Sequence, residues 1–198
     1  MRAKIAAIVL AAGRSSRLAP RNKLLEAVEG QAIVAHVAAA AIVSGADPVV
    51  VVTGFEAARV AEALSDLNVR IVHNPAYTEG LSGSLRTGLE TLPADCDGAL
   101  ILLGDMPKID SSVLSALIAA FAARDAICVP VHRGERGNPI LWGAAHFAEM
   151  RSLTGDAGAK RLLPRHEARV SEVPVASSGI FADVDTPSDL ARLKQTIG

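Results

Sequence analysis

The chain has 198 residues, a net charge of −1 and an aromatic content of only 3 %. Those values exclude a broad basic face and a stacking platform for nucleic-acid bases, so no nucleic-acid partner is expected. Half the residues are hydrophobic, but they fall in short runs, far below the roughly 18 consecutive apolar residues of a membrane span, and no membrane partner is expected either.

The length suits one α/β domain over residues 1–198, burying roughly 70 % of its unfolded surface. The start, MRAKIAAIVLAAG, has the basic, apolar and small residues of a secretory signal. It runs directly into a polar loop, however, and its removal would delete the first strand, so it is read as part of the fold. Cys96 and Cys128 stand alone, without metal-ligand spacing, and the expected compartment is the reducing cytoplasm.

In chain order, the apolar run Ala6 to Ala11 predicts a buried strand that breaks at Gly13 into a loop carrying Arg14, Arg17 and Arg21 before Lys23. Small residues at Ala11, Ala12 and Gly13 admit a ligand close to the backbone, Ser15 and Ser16 add hydroxyls, and the cations neutralise negative charge. That suits a polyphosphate; a solvated turn is the plain alternative. It is neither a P-loop, since position 18 is Leu and no Gly precedes Lys23, nor a dinucleotide fingerprint, since Gly13 has no companion glycines.

Gln31 to Ser44 predicts a buried helix stopped by Gly45, Pro48 to Thr53 a doubly covered strand, Glu56 to Leu64 a helix and Val69 to Val72 a strand. Alternation without a hairpin signal requires parallel pairing, which directs attention to the loops at the carboxyl ends of strands. One such loop holds Asn74. It leads into Gly80-Leu81-Ser82-Gly83-Ser84, opening a helix to about Leu92 with Ser82 or Ser84 as cap. Arg86 in the first turn opposes the helix dipole, and a bound anion or a carboxylate partner would explain it.

Gly98 to Gly104 predicts a central strand ending in Asp105, where an acid can hold a metal or cap the next turn. A helix capped by Ser111 or Ser112 to about Arg124 and a strand from Ala126 to Pro130 follow. The turn at residues 132–137, with Arg133 and Arg136, leads into an edge or irregular strand at Asn138 to Trp142, because of Pro139. Asp156 is expected to cap a short helix bearing Lys160 and Arg161. Ile180 to Asp185 predicts a strand with Asp183 and Asp185 on one side, and Thr186 to Asp189 a capping box before a last helix to about Thr196.

Read in order, LAAGRSSRL, NKLL, GLSGSLRTGL, LLGDMP, GNPILW, GDAGAKRLL and DVDTPSDL resemble the MobA-like nucleotidyltransferases, most closely the molybdenum cofactor cytidylyltransferases. The resemblance runs from Ile5 to Leu193. It implies a three-layer α/β/α sandwich of the nucleotide-diphospho-sugar transferase type, with a mostly parallel Rossmann-like sheet and one antiparallel strand. It also implies transfer of CMP from CTP to molybdenum-carrying molybdopterin, giving molybdopterin cytosine dinucleotide and pyrophosphate, with the product destined for an apo-molybdoenzyme. By position, Leu10, Ala11, Ala12, Gly13, Arg17, Lys23, Asn74, Ser82, Gly83, Ser84 and Asp105 would bind nucleotide. Arg17, Lys23 and Asp105 would be catalytic, and Asp105 with Asp185 would hold Mg²⁺.

The loop reads Leu10-Ala11-Ala12-Gly13, similar to the cytidylyl pattern rather than the guanylyl LAGG, and the methyl at Ala12 would narrow the space beside the base. Ala19 stands where the family has Gly, which would strain a positive-φ backbone by about 1 kcal/mol or more. The rivals are a guanylyl- or sugar-phosphate nucleotidyltransferase on the same fold, and a non-catalytic molybdopterin carrier.

Overall fold

The computed structural model describes residues 3–15, 18 and 21–195. Arg17, Ser16 and Ala19 lie outside the described residues. In chain order the strands are β1 (Ile5–Ala11), β2 (Ala27–Val28), β3 (Gln31–Ala32), β4 (Val49–Thr53), β5 (Arg70–His73), β6 (Gly98–Leu103), β7 (Ile127–His132), β8 (Glu135–Arg136), β9 (Ile140–Gly143) and β10 (Val170–Pro174). The α-helices are α1 (Ile33–Val43), α2 (Ala57–Glu62), α3 (Leu81–Glu90), α4 (Ser111–Ala120), α5 (Phe147–Arg151) and α6 (Pro187–Gln195).

β1 explains the layering. It pairs in parallel with β4 on one side and β6 on the other, and all its residues are buried. A strand covered on both faces can be apolar throughout. Its alternate side chains divide between two cores: Ile5, Ala7, Val9 and Ala11 pack with α1 and α4, while Ala6, Ile8 and Leu10 pack with α3 and α5. Gly88 lets α3 lie close on the sheet, because a Cβ there would stand 2.6 Å from Ile8 Cγ2.

The sheet order is β10-β7-β9-β6-β1-β4-β5, with β8 beside β7. β9 runs antiparallel to both β6 and β7, whereas β10–β7, β6–β1, β1–β4 and β4–β5 are parallel. This is the mostly parallel three-layer sandwich expected. β9 is internal, however, not an edge strand; Pro139 precedes its first residue and therefore removes no donor from the ladder.

Several expected boundaries shift for local reasons. Gln31 and Ala32 leave the helix to form a hairpin with Ala27 and Val28, so α1 begins at Ile33. Asp110, not Ser111 or Ser112, caps α4 by accepting from the Ser112 amide at 2.7 Å, and the helix ends at Ala120. Asp156 caps nothing; residues 159–165 form a 3-10 helix whose N-cap is Gly158. The expected strand at 180–185 is absent: a 3-10 turn covers Ser178–Phe181 and an irregular segment follows.

The capping box at α6 holds. Asp189 accepts from the Thr186 amide at 2.8 Å and the Thr186 hydroxyl at 2.7 Å, and its own amide donates back to that hydroxyl at 3.2 Å. These bonds, led by the Thr186 hydroxyl and reinforced by Arg192, hold the Asp189 carboxyl far below its ordinary value of 3.8. A depressed folded-state pKa contributes stability above the unfolded value and loses it as pH falls through the folded one. Protection factors in α6, with the intrinsic pH dependence of exchange divided out, are therefore expected to hold above pH 5 and to fall below about pH 3.8, where the unfolded carboxyl is half protonated. Equal protection at pH 5 and pH 2 would contradict this.

Among the described residues no helix is long and apolar enough to cross a membrane. Both cysteines are free and buried, and burial pushes the Cys128 thiol up to about 11.

Candidate active site

The carboxyl ends of β1 and β6 open into a cleft of about 400 Å³. From β1 the chain passes through Ala12, Gly13 and Arg14 to Ser15, and the loop is clasped at its far end by Asn22. Asn22 is buried and caps the 3-10 turn Lys23–Leu25: its Oδ1 accepts from the Leu24 amide at 3.1 Å and the Ser15 hydroxyl at 3.3 Å. The Ser15 Oγ in turn accepts from the Lys23 amide at 3.1 Å. This clasp fixes the Lys23 backbone at the cleft. The sequence reading missed Asn22, although an Asn directly before a short helical turn is a capping signal.

Lys23 Nζ lies 2.5 Å from Asp105 Oδ2 and 2.8 Å from Asp185 Oδ1. Asp105 follows Gly104 at the end of β6, and the Asp185 segment is tied to the same point by the Val184 amide, which donates to the Asp105 carbonyl at 3.0 Å. Thus the three charged groups converge although residues 180–185 form no strand. Burial opposes the Lys23 charge, yet attraction and hydrogen bonding from Asp105 and Asp185 outweigh it and hold its pKa above the usual lysine value. Burial, with Asp183 adding repulsion, raises the Asp105 carboxyl even against the ammonium of Lys23. Lys23 thus keeps its charge while the buried acid remains short of compensation.

Leu10, Ala12, Gly13, Lys23, Ser84, Asp105 and Asp185 all line the cleft. Ala11 is packed in the core beneath it. Asn74, Ser82 and Gly83 stand behind the wall: Asn74 donates to Ser84 Oγ at 3.0 Å, and a Cβ on Gly83 would meet Asn74 Nδ2 at 3.4 Å. Neither Ser82 nor Ser84 caps α3. Both lie inside the helix, whose N-cap is Gly80. Arg86 is explained by neither an anion nor a carboxylate; it donates to the carbonyls of Arg151 and Leu153, each at 3.0 Å.

Tyr77 and Thr78 also line the cleft and were not singled out in the sequence, as do Leu81, expected only as part of the glycine-serine loop, and Asp156, expected only as a helix cap. Asp156 arrives there because Gly80, at φ +113°, backs directly onto Gly155, and the Ser82 amide donates to the Gly155 carbonyl at 3.1 Å. Of the basic residues in the second half, Arg136 is engaged by Glu167 at 2.5 Å and Glu172 at 2.7 Å, while Arg133, Lys160 and Arg161 are exposed.

Among the described residues no three His, Cys, Asp or Glu side chains converge as a metal cage. Asp105 and Asp185 still fit a hard divalent ion, which takes one or two carboxylates and completes its shell with phosphate oxygens and water. Asp105 Oδ1 is buried without a hydrogen-bond partner, an acceptor that such an ion would satisfy.

Residues 7–170 match the family described as the MobA-like NTP transferase domain. The chain belongs to that family. It is accordingly a nucleotidyltransferase of the MobA-like type.

Similar curated proteins include Bifunctional protein GlmU of Kineococcus radiotolerans, 30 % identical over 98 % of this chain but only 38 % of that protein. The chain therefore spans well under half of that relative. Purine catabolism protein PucB of Bacillus subtilis is 28 % identical over 96 % of each chain. Molybdenum cofactor cytidylyltransferase of Escherichia coli is 24 % identical over 95 % of this chain and 94 % of that one. Among solved structures, the Methanothermobacter nucleotidyl transferase Mth528 superimposes with a TM-score of 0.86 at 26 % identity, covering 98 % of this chain and 97 % of its own. Rv0371c of Mycobacterium tuberculosis, solved in complex with manganese, gives 0.82 at 26 % identity, covering 98 % and 100 %.

Proposed function

We propose that this MobA-like transferase moves CMP from CTP to a molybdopterin-type phosphate acceptor with Mg²⁺. The observation that carries the reading is the convergence of Lys23 with Asp105 and Asp185 at the carboxyl ends of β1 and β6. It places a cation and an acid pair beside small residues that admit a polyphosphate. Full-length similarity to a molybdenum cofactor cytidylyltransferase and the Ala12 methyl on the cleft wall favour cytosine as the base and molybdopterin as the acceptor.

In this reading a terminal phosphate oxygen of the acceptor attacks the α-phosphorus of CTP in line. A new P–O bond forms as the bond to the β-phosphate oxygen breaks, and pyrophosphate leaves with the electron pair. The nucleophile is already ionised near neutral pH, so no general base is needed. Lys23 and Arg17 neutralise the triphosphate and the charge growing on the leaving group, while Ser84, positioned by Asn74, and Leu10, Ala12 and Gly13 border the nucleoside. Asp105 and Asp185 would hold Mg²⁺, which supplies Lewis-acid stabilisation of the phosphoryl oxygens when bound; the manganese in the related structure supports a divalent ion.

Pyrophosphate release tests the reading, with CTP, GTP, ATP and UTP each offered with molybdenum-loaded molybdopterin and Mg²⁺. CTP is expected to exceed the other nucleotides by about tenfold or more, the scale of discrimination that pocket size can provide. A GTP preference would reassign the chain as a guanylyltransferase, and release only with a sugar phosphate as acceptor would reassign it as a sugar-phosphate nucleotidyltransferase. No release with any nucleotide or acceptor would favour a carrier.

A further inference from the structure

We infer that Lys23 and the divalent ion compete for the same carboxylate pair, so that the ion seats fully only once nucleotide phosphates draw the Lys23 ammonium away. The inference rests on the nucleotidyl-transfer reading and assigns a coupling role to Lys23 beyond neutralising phosphate. Its ammonium bridges Asp105 Oδ2 and Asp185 Oδ1 at 2.5 and 2.8 Å, on the same two carboxylates that would hold a metal. An ammonium held against both carboxylates repels a divalent ion drawn to the same pair, so the two cations bind there at each other's expense.

Burial points the same way. The two cations would meet in a pocket where the Lys23 and Asp105 side chains are only 14 % and 16 % exposed, so water screens their mutual repulsion poorly. A triphosphate relieves that repulsion by offering Lys23 another anion. The exchange needs no loop movement: the Lys23 amide is held by Ser15 and the Leu24 amide by Asn22, while the four-carbon stem can swing from a fixed base.

Binding of Mn²⁺ alone, followed by loss of the free-ion electron paramagnetic resonance signal, tests this. Lys23→Met keeps the stem and removes the charge. It is expected to bind Mn²⁺ without nucleotide about tenfold more tightly than the native chain, within the usual range of site-to-site coupling. Methylene-bridged CTP, which cannot be turned over at the α-phosphorus, should tighten Mn²⁺ binding to the native chain and do so far less in Lys23→Met. By linkage, Mn²⁺ should tighten the analogue by the same factor.

Unchanged or weaker Mn²⁺ binding in Lys23→Met would overturn the inference. So would an equal gain in Arg14→Met, which removes another cleft cation and would show a general field effect in place of competition. Lys23→Gln provides a second uncharged variant; if neither variant folds, absence of Mn²⁺–analogue coupling in the native chain overturns the inference. Asp105→Asn in the Lys23→Met background should abolish the gain, and a gain that persisted would move the metal off the acid pair. If the native chain binds no CTP analogue, the nucleotidyl-transfer reading fails, whereas the nucleotide-free comparison of Lys23 variants still decides whether ammonium and metal exclude one another.

Discussion

Asp105→Asn is expected to lower kcat for pyrophosphate release about 10³-fold while leaving the fold intact. The substitution preserves size and removes the charge that faces Lys23 at 2.5 Å and would hold the metal. Loss of one preorganised electrostatic group costs about 3–4 kcal/mol of transition-state stabilisation in comparable sites. The stability effect should be small. Asp105 carries an unpaired buried oxygen whose charge burial disfavours, and Lys23 retains Asp185, so the melting temperature should move by no more than about 3 °C, or roughly 1 kcal/mol. Near-normal turnover in steady-state kinetics would remove Asp105 from the chemistry, and a collapse in melting temperature would make its role structural.

Gly80→Ala is expected to destabilise the protein by about 3 kcal/mol, through strain at positive φ together with overpacking against backbone. A Cβ at Gly80 would stand 2.4 Å from both the carbonyl carbon and oxygen of Gly155, and neither atom can rotate away. The loop bearing Asp156 should then lift from α3, raising KM for the nucleotide more than it lowers kcat, because Lys23, Asp105 and Asp185 depend on other contacts. Gly155→Ala provides the control. That residue also has positive φ, +63°, but nothing lies within 4 Å of an added Cβ, so only the backbone strain of about 1 kcal/mol applies. Equal melting temperatures for the two variants, measured by calorimetry, would show that the two loops are not locked together.

These sites also show what could be read from the chain and what could not. β1, β4 and β6 were legible because strands covered on both faces are uninterrupted apolar runs, and a cation-rich loop directly after such a run points to the cleft end. Asp105 was legible as the acid directly after β6. β10 was missed because an edge strand needs little hydrophobicity: Ser171, Glu172 and Pro174 are exposed, and Val173 alone is buried. Residues 180–185 were misread because their alternation resembles a strand, whereas the Val184 amide bonds the end of β6 instead of a neighbouring strand. Asp156 gave only a misleading capping signal, since its place in the cleft depends on a contact between Gly80 and Gly155, distant in sequence, and Tyr77 gave none.

Reversal of β9 has a consequence for how acceptor preference could diverge within this architecture. Because β9 descends between two ascending strands, the turn that enters it shares the rim with the cleft. There the Asn138 amide donates to the Ile180 carbonyl at 2.9 Å, and a Cβ on Gly137 would press on the Ile180 side chain. The arm that delivers Asp185 is thus moored to the β7–β9 half of the sheet, while Lys23 is moored to the β1 half. Lengthening the hairpin at Arg133-Gly134 could remodel the ground around that arm without disturbing the Ser15–Asn22 clasp, leaving one half of the rim open to variation while the other keeps its form.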